Sequence, residues 1–405
     1  MPRRTGGFIG HRGLQAPDPP IDVTAPTSGD AQAIVSFTAP SDVGDDAITG
    51  FVVTTADGIG VAGSSSPITV TGLTNGTEYT FRAIAINDYG TSAPSVASSA
   101  FTPVAPRAVF AGGLNASGTI VNTMDFIEIG STGNAQDFGD LTTARSILAG
   151  MSSATRGCFG GGDIGGNTTN VIDYVTIASA GNAQDFGDLT ATGDGLAGTA
   201  AVSSTTRGVR AGGGGYSTQT NIMDYITIAS TGNATDFGDY QAATSRHAGC
   251  QSTTRGIFGG GRRSGGLTNQ IEYITIANTG NTSNFGNLSA SREHVGALSS
   301  STRGVFFGGE EGSAVNKIEY VTIGSTGNTT DFGDLLQVAA YMCGTSNGTR
   351  GIMAGNQYNL TGNQDPEIIQ YITISSTGNA TDFGNRTGSL GQQSACVSGN
   401  HGGIA

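Results

Sequence analysis

Three short markers recur six times along this chain, and their recurrence constrains the fold more than any other feature. The first is Asp-Phe-Gly, beginning at Asp137, Asp185, Asp236, Asp331 and Asp382, with Asn284-Phe285-Gly286 completing the series. The intervals are 48, 51, 48, 47 and 51 residues. The second is Thr-Arg-Gly around Arg156, Arg207, Arg255, Arg303 and Arg350, with Arg107 as a degenerate first copy. The third is an apolar run: Met124 to Ile129, Ile172 to Ile177, Met223 to Ile228, Ile271 to Ile276, Ile318 to Ile323 and Ile369 to Ile374. A common period in three independent markers calls for stacked copies of one supersecondary unit.

Each copy holds four strand candidates. In the fourth copy these are His247 to Gln251, Arg255 to Gly260, Glu272 to Ile276 and a short strand around Phe285 to Leu288. The third strand carries apolar or aromatic groups on both sides, with Ile271, Tyr273 and Thr275 opposite Ile274 and Ile276, as a sheet buried between neighbours requires. Four strands in about 50 residues is one blade of a β-propeller. The first copy starts at Val109, without an opening strand, whereas Ser394 to Ser398 repeats the opening-strand pattern after the sixth Asp-Phe-Gly. The C-terminus is therefore expected to complete the first blade and remove an open edge. The period and the Gly doublets after the second strand resemble kelch repeats. The kelch Trp is absent, since the chain has none, and the Phe of Asp-Phe-Gly is expected in its place.

Residues 17–103 read differently. Turns separate short runs with period-two alternation, clearest in Tyr79, Phe81, Ala83 and Ala85 against Thr80, Arg82, Ile84 and Ile86. Such a span suits a seven-stranded sandwich. Leu73-x-Asn75-Gly76-Thr77-x-Tyr79-x-Phe81, followed by Ala85-Ile86-Asn87-Asp88-Tyr89-Gly90, resembles a fibronectin type III domain. The resemblance implies that Tyr79 is its corner tyrosine and that Phe37 stands where the family carries a core Trp. The expected fold is therefore all-β: a fibronectin type III-like β-sandwich over 17–103, then a six-bladed kelch-like propeller over 104–405, with 1–16 a basic, flexible N-terminal arm.

Formal net charge is −13. Both expected domains are acidic, while the arm carries Arg3, Arg4 and Arg12 without an acid. An acidic bulk excludes sequence-independent nucleic-acid binding. No stretch reaches the roughly 18 apolar residues of a membrane span, and no charged-then-apolar leader opens the chain. The arm, with Phe8 among its glycines, is the expected grip on an acidic partner. Cys158, Cys250, Cys343 and Cys396 are widely spaced without a CxxC pair, so free thiols are expected and zinc is not.

None of the markers reads as chemistry. Asp-Phe-Gly recurs without a kinase catalytic loop and is expected to be a Gly turn with a packed Phe and a capping Asp. The Gly runs at 160–162 and 212–215 lack the GK[ST] of a phosphate loop, and calcium loops lack their spacing. The repeated Arg is expected to bond the next blade's backbone. His247 and His294 read as equivalent positions in adjacent copies, aligned with Leu148, Leu196, Met342 and Ser394; beside Glu293 they are the candidate metal ligands, although no cofactor or metal is expected. The most variable segments follow the Gly doublets: Leu114 to Val121, Asp163 to Asn170, Tyr216 to Asn221, Arg262 to Asn269, Glu310 to Asn316 and Asn356 to Glu367. Tyr216, Arg262, Arg263 and Tyr358 are the candidate binding residues there.

The run from Tyr225 to Asp239, Tyr-Ile-Thr-Ile-Ala-Ser-Thr-Gly-Asn-Ala-Thr-Asp-Phe-Gly-Asp, resembles repeats in virion structural proteins of tailed phages of marine cyanobacteria. The resemblance implies a non-enzymatic virion protein, exposed on tail or capsid in many copies, acting in attachment or decoration and assembled in the host cytoplasm. Its implied partners are other virion proteins, through the arm or the sandwich, and a host-surface polysaccharide or protein. The alternative is a polysaccharide-active enzyme, glycosidase or oxidase, on the same scaffold.

Overall fold

The computed structural model describes residues 14–190, 196–214, 218–356, 365–387 and 390–404. It is all-β, with no α-helix among the described residues, and no helix is long and apolar enough to cross a membrane. The chain divides into two compact units, Met1–Ala105 and Pro106–Ala405.

The first unit is two sheets. Ile21–Gly29, Gln32–Thr38 and Ile68–Thr71 form one, in that order; the other runs Gly60–Gly63, Gly50–Thr55, Phe81–Asn87, Gly90–Thr91. Alternation sorts the side chains. Val35, Val53, Val70, Phe81, Ala83 and Ala85 fill the core, while Arg82 stays outside. Phe37 packs on Phe51 with ring centroids 4.9 Å apart. Tyr79 precedes its expected strand instead of opening it: it bridges Phe101, and its hydroxyl accepts the Thr74 N–H at 3.0 Å. That bond pins the loop before the strand, which is the corner role.

The second unit contains six antiparallel sheets of four strands. The second to sixth each take their four strands in chain order, beginning at Ala149–Ser152, Ala200–Ser203, Ala248–Gln251, Gly296–Ser299 and Cys343–Ser346, with a small hairpin of Arg262–Arg263 and Gly266–Leu267 inserted in the fourth. The first sheet takes its opening strand from the far end of the chain: Ala395–Ser398 pairs with Arg107–Ala111 in register Ala395↔Ala111.

Neighbouring sheets are joined by the markers. Each marker Arg lies over the aromatic ring of its own third strand, Arg255 at 4.5 Å from the Tyr273 centroid, and donates to a carbonyl of the following sheet, Arg255 to Ile323 at 2.8 Å. Arg350 of the sixth sheet donates to Ile129 of the first. The Asn of each Thr-Gly-Asn run (Ala-Gly-Asn at Asn182) accepts an N–H from the preceding sheet's fourth strand, as Asn182 does from Asp140; Asn134 accepts from Asn385, again linking sixth to first. The Gly after five of the six marker arginines (Ala108 follows Arg107) leaves room for a neighbour's opening strand: a Cβ on Gly256 would lie 2.5 Å from Cγ2 of Val202.

Asp-Phe-Gly departs from expectation. It lies inside the fourth strand, as in Gln136–Asp140, not in a turn, and its aspartates cap no turn among the described residues. Phe138 is buried edge-on to Phe126. Gly139 sits at a bulge opposite Met124 and Asp125 with φ 136°, where a Cβ would come 2.6 Å from the carbonyl of Gly181 in the next sheet. The glycine is required by inter-sheet contact and by a left-handed backbone.

The third strand also holds a group that periodicity hid. Asp125, Asp173, Asp224, Glu272, Glu319 and Gln370 occupy one repeated position and are all buried. Five are acids paired with an arginine: Arg386–Asp125 at 2.8 Å, Arg145–Asp173 at 2.7 Å, Arg210–Asp224 at 3.0 Å, Arg263–Glu272 at 2.7 Å, and Arg292–Glu319. Four of the acids also accept a backbone N–H from the loop after the fourth strand of the preceding sheet, as Asp173 does from Thr142, and the amide accepts one from Leu336 within that strand. Such buried pairs tie loops to sheets, and each is costly to break by halves.

Candidate functional site

Just before each opening strand the chain places one residue with positive φ: Ile147 (58°), Gly198 (64°), Arg246 (58°), His294 (53°), Tyr341 (62°) and Gln393 (63°). Their backbones form a closed collar. The Ile147 N–H donates to Gln393 (2.7 Å), Gln393 to Tyr341 (3.2 Å), Tyr341 to His294 (3.2 Å), His294 to Arg246 (2.9 Å), Arg246 to Gly198 (2.7 Å) and Gly198 to Ile147 (3.2 Å). Six identical backbone positions thus carry six unlike side chains.

This geometry corrects the alignment of the histidines. His294 is a collar residue equivalent to Arg246. His247 belongs to the next position inward, with Leu148, Thr199, Val295, Met342 and Ser394; Leu196 belongs to neither set. A one-residue difference in the approach to the strand, invisible to a pattern of small residues, caused the misalignment.

The two imidazoles live differently. His294 stacks on Tyr341 at 3.6 Å between centroids, with Nδ1 3.4 Å from Glu310 Oε2. Burial lowers its pKa despite the Glu310 contact, while the same contact holds Glu310 below the usual carboxylate range. His247 packs edge-on between Tyr240 and Phe258. Burial first, then Arg210 and Arg263, push its pKa down to about 3, with only the Ala211 backbone opposing. It is a neutral ring at any pH near 7.

Glu293, His294 and Glu310 bring their donor atoms within 4.8 Å of one another, and His247 is not among them. Both oxygens of Glu293 are already engaged, Oε2 by Arg246 and Oε1 by Arg262, each at 2.9 Å. Two guanidinium groups on one carboxylate repel a divalent cation and occupy its ligand, so this donor set does not fit a metal.

Of the loops after the Gly doublets, those at Leu114, Asp163, Arg262 and Glu310 fold back toward the collar. Arg262 bridges Ser245, and Glu310 bridges Glu293, through backbone pairs. Arg262 keeps its side chain 42% exposed. Arg263 is more enclosed, and its guanidinium bonds Glu272, Gln270 and Thr244; its place is in the buried pair described above. Tyr216 and Tyr358 lie outside the described residues, as do Arg3, Arg4, Phe8 and Arg12.

At the other ends of the opening strands, Ser152, Ser203, Gln251, Ser299, Ser346 and Ser398 form a second polar ring. Ser398 Oγ donates to the Ser346 carbonyl, Ser346 Oγ to Ser299 and Ser152 Oγ to Ser398. The final residues cover it, which sequence reading missed. His401 Nε2 is 3.1 Å from the Ser152 carbonyl, while Nδ1 accepts from Gly403 N–H and from Gln251, the one ring member that is not Ser. A Cβ on Gly403 would stand 1.9 Å from the Ser203 carbonyl. Gly-Asn-His-Gly-Gly carries no periodicity, so only the substitution of Gln251 into a series of serines could have signalled it. Between collar and tail the opening strands enclose a cavity of about 50 Å³.

The cysteines form no disulfide; Cys158, Cys250 and Cys343 are buried and Cys396 partly so. Burial pushes the Cys158 thiol up to about 12, so it is an inert small hydrophobe rather than a nucleophile.

Residues 18–101 match the fibronectin type III domain family, and this segment is such a domain. The match ends before the repeats begin. No curated protein matches the chain.

Proposed function

We propose that residues 104–405 form a six-bladed, kelch-like propeller and that the whole chain is a non-enzymatic recognition or decoration protein of a phage virion. The propeller reading is supported by six four-stranded sheets whose marker bonds run from each to the next and return from the sixth to the first. The recognition reading is carried by the collar, where an invariant backbone presents Ile147, Gly198, Arg246, His294, Tyr341 and Gln393. Unlike side chains on one repeated backbone position, bordered by loops that also vary, are what selection for a contact, rather than for folding, leaves behind. The virion setting rests on the resemblance of the Tyr225 to Asp239 run, and the arm 1–16 is the proposed anchor to other virion proteins.

Incubating the purified protein with host-surface polysaccharide separates the classes. Binding without shortened products is the expected result, and robust cleavage overturns it in favour of a polysaccharide-active enzyme. Locating the chain by antibody on intact particles tests the virion setting.

A further inference from the structure

Cys343 and Cys396 meet at the junction between the sixth sheet and the first. Cys343 is the first residue of Cys343–Ser346, and Cys396 is the second of Ala395–Ser398. These two opening strands lie side by side, with Ser398 Oγ donating to the Ser346 carbonyl. Both cysteines pack in one apolar cluster with Ala108, Phe110 and Ala354, and their thiols share a hydrogen bond. Along the opening strands the first residue faces the following sheet and the second faces the preceding one. At the other five junctions these facing positions hold only Ala or Gly, as with Ala248 and Ala297 between the fourth and fifth sheets. Packing therefore does not demand sulfur here.

The place of the pair is as particular as its chemistry. Five opening strands continue directly through a turn into the second strand of their own sheet. Ala395–Ser398 does not; it is held to Arg107–Ala111 by ladder hydrogen bonds and packing. A covalent bond from Cys396 to Cys343 would fix that strand to the sixth sheet and close a loop of about 50 residues, which restricts the unfolded chain.

We propose that Cys343 and Cys396 are an oxidation site, a dithiol that hydrogen peroxide converts into a disulfide latching the strand that completes the first sheet. This goes beyond the recognition reading and does not depend on it. Cys396 is the partly exposed partner and borders the cavity of about 50 Å³ between the opening strands. That space exceeds the roughly 10–15 Å³ a water molecule needs, so a peroxide molecule fits. The Cys396 sulfur attacks one peroxide oxygen: an S–O bond forms, the O–O bond breaks, and the departing hydroxide leaves as water with the Cys396 proton. The Cys343 sulfur then displaces the sulfenic hydroxyl, which leaves as a second water with the Cys343 proton as the S–S bond forms. Two thiols lose two electrons, and one peroxide is reduced to two waters. The Cys396 hydrogen bond, foremost, and the Arg386 guanidinium lower the Cys343 pKa against burial and Asp125, which makes Cys343 the readier thiolate for the second step.

The test treats the reduced full chain with hydrogen peroxide, blocks remaining thiols with N-ethylmaleimide during unfolding, and maps tryptic peptides by mass. Cleavage after Lys317, Arg350 and Arg386 puts Cys343 in peptide 318–350 and Cys396 in peptide 387–405. The two should appear as one species that dithiothreitol separates, with Cys158 and Cys250 blocked as free thiols. Oxidation should raise the melting temperature by roughly 5 °C or more, reversibly with dithiothreitol. Cys343→Ala restores what the other junctions carry; it should fold when reduced and gain nothing from peroxide. Absence of the linked species, a link through Cys158 or Cys250, oxygen adducts on Cys396 without a link, or an equal gain in Cys343→Ala would each overturn the assignment. The peptide map of the parent decides the matter even if the variant fails to fold.

Discussion

Arg255 does two jobs with one guanidinium, lying over Tyr273 and donating to Ile323 of the next sheet. A charged donor on a carbonyl and a cation–π contact are together worth about 2–3 kcal/mol. Arg255→Ala should therefore lower unfolding stability by about that amount in a urea titration, whereas alanine at the exposed Arg262 should cost under about 1 kcal/mol. The repeated buried acid gives a sharper contrast. In the sixth sheet Gln370 takes the place of the acid, and its Oε1 accepts the Leu336 N–H at 2.8 Å. Gln370→Glu buries an unpaired charge there and should destabilise by roughly 3 kcal/mol or more. No such loss is expected for Glu272→Asp, which keeps the charge beside Arg263. His401 makes stability depend on pH. Burial depresses its pKa to about 4 from 6.5, against the Ser152 contact, so between those values the unfolded chain binds the extra proton. Stability is full above pH 6.5 and falls as pH drops toward 4, by up to about 3 kcal/mol. His247 acts in the same direction to lower pH. Unfolding midpoints at pH 7 and 4.5 should differ less in His401→Gln than in the parent; an equal difference would show that His401 titrates freely.

At the scale of elements, the C-terminus supplies two things. Ala395–Ser398 completes the first sheet, and the segment after it covers the serine ring. Deleting 393–405 should lower the melting temperature far more than deleting 1–13. A shorter deletion of 399–405 should fall between them, because it removes the His401 bonds and keeps the strand. Equal melting temperatures for the two longer deletions would mean that the end strand contributes nothing.

At the scale of the molecule, the basic arm stands against two acidic domains. A chain lacking 1–13 should fold with an unchanged melting temperature yet fail to join particles in an incorporation assay. Normal incorporation would move the anchor to the sandwich or the repeats. The compact unit 1–105 has its own core of Val35, Val53, Phe81 and neighbours, enough to justify expressing it alone to separate anchoring from recognition.

Sequence by itself determined what repeats in register. Period-two alternation put Phe81, Ala83 and Ala85 in the sandwich core, and the recurring Thr-Arg-Gly predicted an arginine bond to the next sheet's backbone, because one interaction copied six times leaves one residue type copied six times. It left hidden whatever does not repeat. The buried acids recur, but their arginine partners come from four different backbone positions: Arg145 and Arg292 from one loop site, Arg386 from the site that holds Leu141, Arg210 from a second strand, Arg263 from a hairpin. The collar was misaligned because hydrogen-bonded backbone, not side-chain pattern, sets its register. The tail after Ser398 has no pattern at all, and its glycines acquire meaning only from the carbonyls of Ser203, Gln251 and Ser300 that crowd them. Local preference is written residue by residue along the chain, whereas contacts between distant segments depend on where every other segment has come to rest, and that only the tertiary structure decides.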